Sequence, residues 1–282
     1  MTRTTDISPL SVLLSRVDAV SDGAPPLGTI ATGFPSVDKM LGGGFRHGDL
    51  VVLGGDTASG KSALALAIAL RAASLGSPAL FLSGEMAVDR VLERVIAIEA
   101  RTRIDDLRLG TLDDETRAKA GAVALDLRER LPVIDRIPAG GVPEIASLVE
   151  ASRTDLVVVD SLSSLAPRDS GRDEAWARAA RELKELALDR NVVVLSVAEL
   201  PNLTARADLR PTLDDFAALG AVKRYADVVL AIYRPEMYEQ ARDIAGATEL
   251  IIRKNRNGPT GYVDLYFYSQ WMRFEDVLDP ER

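Results

Sequence analysis

The octapeptide Gly55-Asp56-Thr57-Ala58-Ser59-Gly60-Lys61-Ser62 has the spacing G-x-x-x-x-G-K-[ST] of a phosphate-binding loop. A short glycine-rich loop turns successive backbone N–H groups inward, onto the phosphates of a nucleotide. Lys61 adds a mobile positive charge at the β- and γ-phosphates, and the Ser62 hydroxyl is a ligand for Mg²⁺. Gly55 and Gly60 are expected where a Cβ would meet the phosphates or forbid the backbone angles.

A cradle alone does not transfer a phosphoryl group from ATP. The reaction also needs a carboxylate for the metal, a group that positions water, and positive charge at the developing transition state. Asp155-Leu-Val-Val-Val-Asp160 is an apolar run ending in a carboxylate, so Asp160 is the candidate Mg²⁺ holder, directly or through water. Ser161, beside it, is at most a helper. Ala79-Leu-Phe-Leu-Ser-Gly-Glu85 is a second such run, and Glu85 is the candidate for activating the attacking water. Lys254 and Arg256 stand at i and i+2 of an extended segment, share one face, and are candidate transition-state cations. Each has a plainer alternative: a strand end opening a turn, a solvated glutamate at a helix start, a solvated hairpin tip. The hairpin is expected at the far edge of the sheet, where it would reach a neighbour's phosphate loop rather than its own, as an arginine finger in trans.

These residues need strands that end at them and helices that follow. Asp49-Leu-Val-Val-Leu-Gly54 is a buried-strand run, and the Ala/Leu-rich segment from Ser62 has no Gly or Pro until Gly76. Strands are predicted at 49–54, 78–83, 131–135, 155–160, 192–197 and 226–233, with helices at 62–74, 87–100, 113–130, 143–152 and 173–189. That alternation predicts an α/β fold: a mostly parallel twisted sheet with helices on both faces. After residue 247, two strand-like runs flank Asn257-Gly258-Pro259-Thr-Gly261, the signature of a C-terminal antiparallel hairpin extending the sheet. Residues 1–27 read as an arm. Leu10, Leu13, Leu14 and Val17 recur at helical spacing, so a helix near 9–20 packs either on its own core or on a neighbouring subunit. Residues 28–282 form the domain proper.

Composition narrows the chemistry. The 282 residues include no cysteine, which excludes disulfides, thiolate catalysis and Cys-ligated metal, and fits a cytoplasmic protein. The single histidine, His47, sits in an expected turn and argues against a His-rich metal site. No apolar run approaches a membrane span, and the first residues lack the apolar core of a secretory signal. A net charge of −8 and a pI of about 4.9 argue against a broad basic DNA-binding face on one subunit, though not against a local strip lining a ring.

Together these stretches resemble the RecA-like ATPase domain of DnaB-type replicative helicases, over about Thr32 to Phe274. The likeness rests on Thr32-Gly-Phe-Pro-Ser-Val-Asp38, the phosphate loop, Ser83-Gly-Glu-Met86, Leu107-Arg-Leu-Gly-Thr-Leu-Asp-Asp-Glu115 and Asp155–Asp160. It extends through Arg210-Pro-Thr-Leu-Asp-Asp215, Ala226–Arg234 and Lys254-Asn-Arg-Asn-Gly-Pro-Thr-Gly261. Gly42-Gly-Gly-Phe45 and Gly54-Gly-Asp56 are also similar to RadA- and KaiC-type ATPases. The resemblance implies a homohexameric ring with ATP and Mg²⁺ at subunit interfaces, Glu85 as catalytic glutamate, Lys254 and Arg256 as the trans pair, and single-stranded DNA threaded through the channel. It also implies that segment 9–20 is a linker helix on the adjacent subunit.

Three departures bear on this. The family's amino-terminal collar has no counterpart in residues 1–31, so collar-mediated primase binding is not expected. Where the family carries a γ-phosphate-sensing Gln, the chain reads Ser196-Val-Ala-Glu199, leaving Glu199 or nothing in that place. A DNA-gripping Arg-Glu-Ser is replaced by Ala217-Ala-Leu219, with Lys223, Arg224, Arg168, Arg172 and Arg206 as substitute charges or plain surface residues. The leading expectation is an ATP-driven helicase or translocase on single-stranded DNA. The alternatives are a remodelling or regulatory ATPase of the same fold, and an ATP-gated assembly module with poor turnover.

Overall fold

The computed structural model describes residues 9–21, 28–165, 172–200, 207–216, 220–239 and 244–277. In chain order the elements are α1 (Pro9–Ser21), β1 (Thr29–Ile30), α2 (Pro35–Leu41), β2 (Phe45–Arg46), β3 (Leu50–Gly55), α3 (Lys61–Ser74) and β4 (Ala79–Ser83). There follow α4 (Val88–Ala100), α5 (Ile104–Leu109), α6 (Asp114–Leu127), β5 (Val133–Arg136), α7 (Val142–Ser152), β6 (Leu156–Asp160) and α8 (Arg172–Arg190). The last are β7 (Val193–Glu199), α9 (Ala221–Tyr225), β8 (Val228–Tyr233), β9 (Ala247–Asn255), β10 (Gly261–Tyr268) and β11 (Arg273–Asp276).

Nine strands form one sheet in the order β11-β10-β9-β8-β3-β7-β6-β4-β5. The six from β8 to β5 are parallel, and β9, β10 and β11 continue antiparallel. Successive side chains of a strand face opposite ways, so a sheet covered on both faces needs apolar residues at every position. β3 does this: Val51 and Leu53 join the core beneath α2, α3 and α4, while Leu50 and Val52 join the core beneath α7 and α8. β6 repeats the pattern, with Leu156 and Val158 on the first face and Val157 and Val159 on the second. The continuous apolar runs of the sequence are the consequence.

The expected α/β class, the RecA-like layout and the antiparallel extension all hold. Boundaries shift by a few residues: the strand expected at 131–135 is β5, an exposed edge strand, and the helix expected at 113–130 ends at Leu127. Asp113 caps that helix by accepting from the Thr116 N–H at 2.7 Å. The far-edge placement of the hairpin is corrected. β9 lies two strands from β3, and an additional strand, β11, holds the edge. β11 packs against the core through Phe274, which touches Phe267 of β10.

α1 occupies the predicted helical segment. Leu10, Leu13, Leu14 and Val17 are all more than half exposed on it, so they do not pack on the chain's own core. His47 sits in the turn before β3, its Nδ1 2.7 Å from the Asn191 carbonyl. No helix among the described residues is long and apolar enough to cross a membrane.

Candidate nucleotide site

Parallel strands point their carboxyl ends the same way, and α/β sheets place ligands there. At that edge β3 delivers the phosphate loop, β6 delivers Asp160, β4 leads into Glu85, and β7 ends at Glu199. Ser83 is level with Asp160, and the Gly84 N–H donates to the Asp160 carbonyl at 2.6 Å, which ties the Glu85 segment to β6. The Ser161 hydroxyl donates to Glu85 Oε1 at 3.2 Å. Ser161 is thus a link between the two carboxylate-bearing strand ends.

The loop wraps the first turn of α3, whose leading amides have no intrahelical acceptors and face the cleft with the positive end of the helix dipole. Asp56 closes the loop on itself: its carbonyl accepts from Ser59 N–H, and its carboxylate accepts from Thr57 N–H and from the Tyr238 hydroxyl. Gly60 takes φ +97°, a conformation that favours glycine, as the sequence implied. A Cβ on Gly60 would meet the Phe274 ring at 2.9 Å, and one on Gly55 would meet Ser59 Oγ at 2.5 Å. Both glycines therefore make room for the protein's own packing beneath the loop.

Lys61 folds back to donate to the Asp56 carbonyl at 2.7 Å. Burial lowers the pKa of its ammonium, and the carboxylates of Glu199, Asp56, Asp160 and Glu85 oppose that. The Ser62 hydroxyl donates to Asp160 Oδ1 at 3.1 Å. Burial pushes the Asp160 carboxyl above its ordinary range, against the Ser62 hydrogen bond that lowers it. The buried Asp160 carboxylate and the half-buried Ser62 hydroxyl are hard oxygen donors at the mouth of the loop, a pair that fits Mg²⁺.

Lys254 and Arg256 come together, but at the other end of the sheet. β9 runs antiparallel to β8, which puts Lys254 level with Val229 and hence with Val52. About 10 Å of strand separates that level from Gly55, and Arg256 lies further off. The Lys254 ammonium donates to the Lys223 carbonyl at 2.6 Å and also to that of Ala226. Arg256 donates to the Arg224 carbonyl at 3.2 Å and pairs with Asp227 at 3.3 Å. Burial and the Arg256 charge lower the pKa of Lys254. Direction, rather than distance to the edge, keeps the pair from its own phosphate loop.

Two cations in the cleft were not singled out by the motifs. Arg94 of α4 and Arg234 at the end of β8 line a cleft of about 440 Å³ with Ala58, Lys61, Ser62, Phe267 and Met272. Arg94 is half-buried near Asp160. Its signal was a charged residue between Val91 and Val95 on the buried face of an amphipathic helix. Arg234 is buried, stacks on Phe267 and donates to the Ala58 carbonyl at 3.2 Å. Its signal was an arginine closing an otherwise apolar strand.

The remaining candidates scatter. Lys223 pairs with Asp214, and the Arg224 guanidinium lies over Tyr225. Arg168, Arg206, Ala217-Ala-Leu219 and the side chain of Arg172 lie outside the described residues.

With this geometry, the chain matches the family described as DnaB-like helicase C terminal domain, over residues 29–276. The chain belongs to that family. It is 30% identical over 262 residues to the replicative DNA helicase DnaB of Buchnera aphidicola subsp. Schizaphis graminum, covering 89% of this chain and 56% of the relative. The chain therefore spans just over half the length of that curated relative. Its fold is similar to that of a DnaB-like replicative helicase of known structure, with a TM-score of 0.86 at 22% identity, covering 96% of this chain and 67% of that one. More distant is a KaiC-like protein, PH0186 from Pyrococcus horikoshii OT3, with a TM-score of 0.60 at 19% identity over 88% of this chain and 98% of that one.

Proposed function

We propose that this DnaB-like domain is the ATP-hydrolysing motor of a ring-forming helicase that acts on single-stranded DNA. The observation that carries the reading is the division of one sheet. The phosphate loop, Asp160 and Glu85 gather at its carboxyl edge, while Lys254 and Arg256 gather at the opposite end. A head-to-tail ring brings opposite ends of adjacent subunits together, so each complete site takes its loop from one subunit and its finger pair from the next.

In such a site the loop amides, Lys61 and Arg94 bind the phosphates, and Ser62 and Asp160 hold Mg²⁺. A Mg²⁺ held there by Ser62 and Asp160 would supply positive charge to neutralise the phosphates. Glu85, held by Ser161, accepts a proton from the attacking water. Lys254 and Arg256 of the neighbour meet the charge that develops on the transferred group. The exposed leucine face of α1 suits docking on the adjacent subunit, so residues 1–27 act as a linker arm and 28–282 as the motor. The similarity to replicative helicases supports a cytoplasmic setting.

The test is ATP turnover with and without single-stranded DNA, across a salt series. Stimulation by DNA that weakens as salt rises supports the reading. Turnover indifferent to DNA, with no salt-sensitive binding, refutes the translocase and leaves a remodelling ATPase of the same fold.

A further inference from the structure

β7 brings a carboxylate to the phosphate loop that the chemistry of the site does not require. Glu199 is level with Gly55, and the Leu200 N–H donates to the Gly55 carbonyl at 3.0 Å, so the residue is tied to the start of the loop. Its Oε1 accepts a hydrogen bond from the Thr57 hydroxyl. The other carboxylates nearby are engaged: Asp160 with Ser62, Glu85 with Ser161, and Asp56 with Thr57 N–H and Tyr238. Among the described residues no cation forms an ion pair with Glu199, which is exposed beside the phosphate loop. Its charge is also the foremost of the four carboxylate charges acting on Lys61.

The sheet order says which end of a nucleotide Glu199 faces. Phe267 and Met272 line the cleft on the β8–β10 side of the loop, an apolar flank suited to a nucleoside. Asp160 at the end of β6 marks the proposed metal end on the other side, and β7 lies between β3 and β6 on that side. Glu199 thus sits toward the terminal phosphate of a triphosphate and further from the phosphates that a diphosphate retains.

We propose that Glu199 is a specificity-determining residue that weakens triphosphate binding relative to diphosphate binding, by placing a negative charge beside the loop where the terminal phosphate must sit. This rests on the nucleotide reading of the loop. A carboxylate at this spot repels an incoming anion, and its bond to Thr57 must coexist with the bound phosphates. The brake is electrostatic, so it weakens as ionic strength rises.

The test is calorimetric titration of the full chain with Mg²⁺ and either ADP or a non-hydrolysable ATP analogue. Glu199→Gln removes the charge and keeps an acceptor for Thr57. It is expected to tighten the triphosphate analogue about tenfold and ADP less than about threefold. Thr57→Ala removes the hydrogen bond and keeps the charge, and is not expected to reproduce that selective gain. The E199Q gain should shrink at high salt. Equal tightening of both nucleotides, no change, or weaker triphosphate binding in E199Q each overturns the proposal. So does a selective gain in T57A equal to that in E199Q. If the unmodified chain binds neither nucleotide, the nucleotide reading itself falls and this proposal falls with it.

Discussion

The two ends of the central sheet are built on opposite electrostatic plans. At the carboxyl edge, four carboxylates (Asp56, Glu85, Asp160 and Glu199) surround the single lysine of the loop. At the other end the buried Asp227 is surrounded by cations. It accepts from Lys184 at 2.6 Å and from the Leu50 N–H at 2.8 Å, and it pairs with Arg256. One end carries negative charge that a metal and a neighbour's cations would neutralise. The other carries cations fixed by a buried anion and by carbonyl oxygens. That polarity, negative at one end and cationic at the other, is what the proposed head-to-tail contact between copies requires.

The sharpest way to break that comparison is to disable one end at a time. Lys61→Ala and Arg256→Ala are each expected to lower ATP turnover by about 10³-fold, measured as phosphate release. Only Arg256→Ala should keep nucleotide binding. Mixed in equal amounts, the two inactive variants should regain turnover at up to about a quarter of sites, where an intact loop meets an intact finger. No recovery would mean that the two ends do not meet in trans.

The next effect is on folding. Asp227→Ala leaves the half-buried Lys184 without its counter-ion, bonded only to the Gly48 carbonyl, and the buried Leu50 amide without its acceptor. A loss of about 3 kcal/mol is expected in urea unfolding. A near-neutral result would show that the cation end is held by packing and carbonyls instead.

Asp160→Asn should act in the opposite direction on stability. Burial raises the folded-state pKa of Asp160 above its ordinary 3.8. Its contribution to stability is therefore fully present below that ordinary value and is lost as pH rises through the raised one. Near pH 7 the charged carboxylate destabilises the fold, so the Asn variant should be more stable than the parent while ATP turnover is lost. Thermal melts across pH should show the gap between variant and parent widening as pH rises from about 4 toward neutrality. A variant less stable at pH 7 would mean that the Ser62 bond outweighs burial.

The smallest expected effect on folding tests the linker arm. Leu14→Glu lies on the exposed face of α1 and should change unfolding by less than about 0.5 kcal/mol. It should nonetheless lower the mass of the assembled particle by light scattering. An unchanged mass would separate the arm from assembly.

The local parts of this molecule were legible in its sequence. The loop, the strand before it and the helix after it are contiguous, so glycine spacing and apolar runs were enough to read them. The β6 run ending in Asp160 and the hairpin after residue 247 were readable for the same reason. β11 escaped notice because a four-residue strand has too little pattern to stand out, and its burial comes from Phe274 packing under the loop. α2, with seven residues, escaped likewise. Arg94 and Arg234 each left a local signal, a charge on a buried helix face and an arginine closing an apolar strand, but nothing in their own segments says which cleft they will line.

The sequence by itself determined a phosphate-loop motif, an apolar strand run that ends in a carboxylate, and a pair of cations sharing one face of a strand. These follow from short-range rules: the backbone freedom of glycine, the two-residue period of a strand, and the helix that starts where the loop ends. Only the tertiary structure decided how far apart the parts lie. The antiparallel turn of β9 sends Lys254 and Arg256 away from the loop, and the register of β7 on β3 sets Glu199 against Thr57. Strand order and direction arise from contacts between residues far apart in the chain, and no local pattern encodes them.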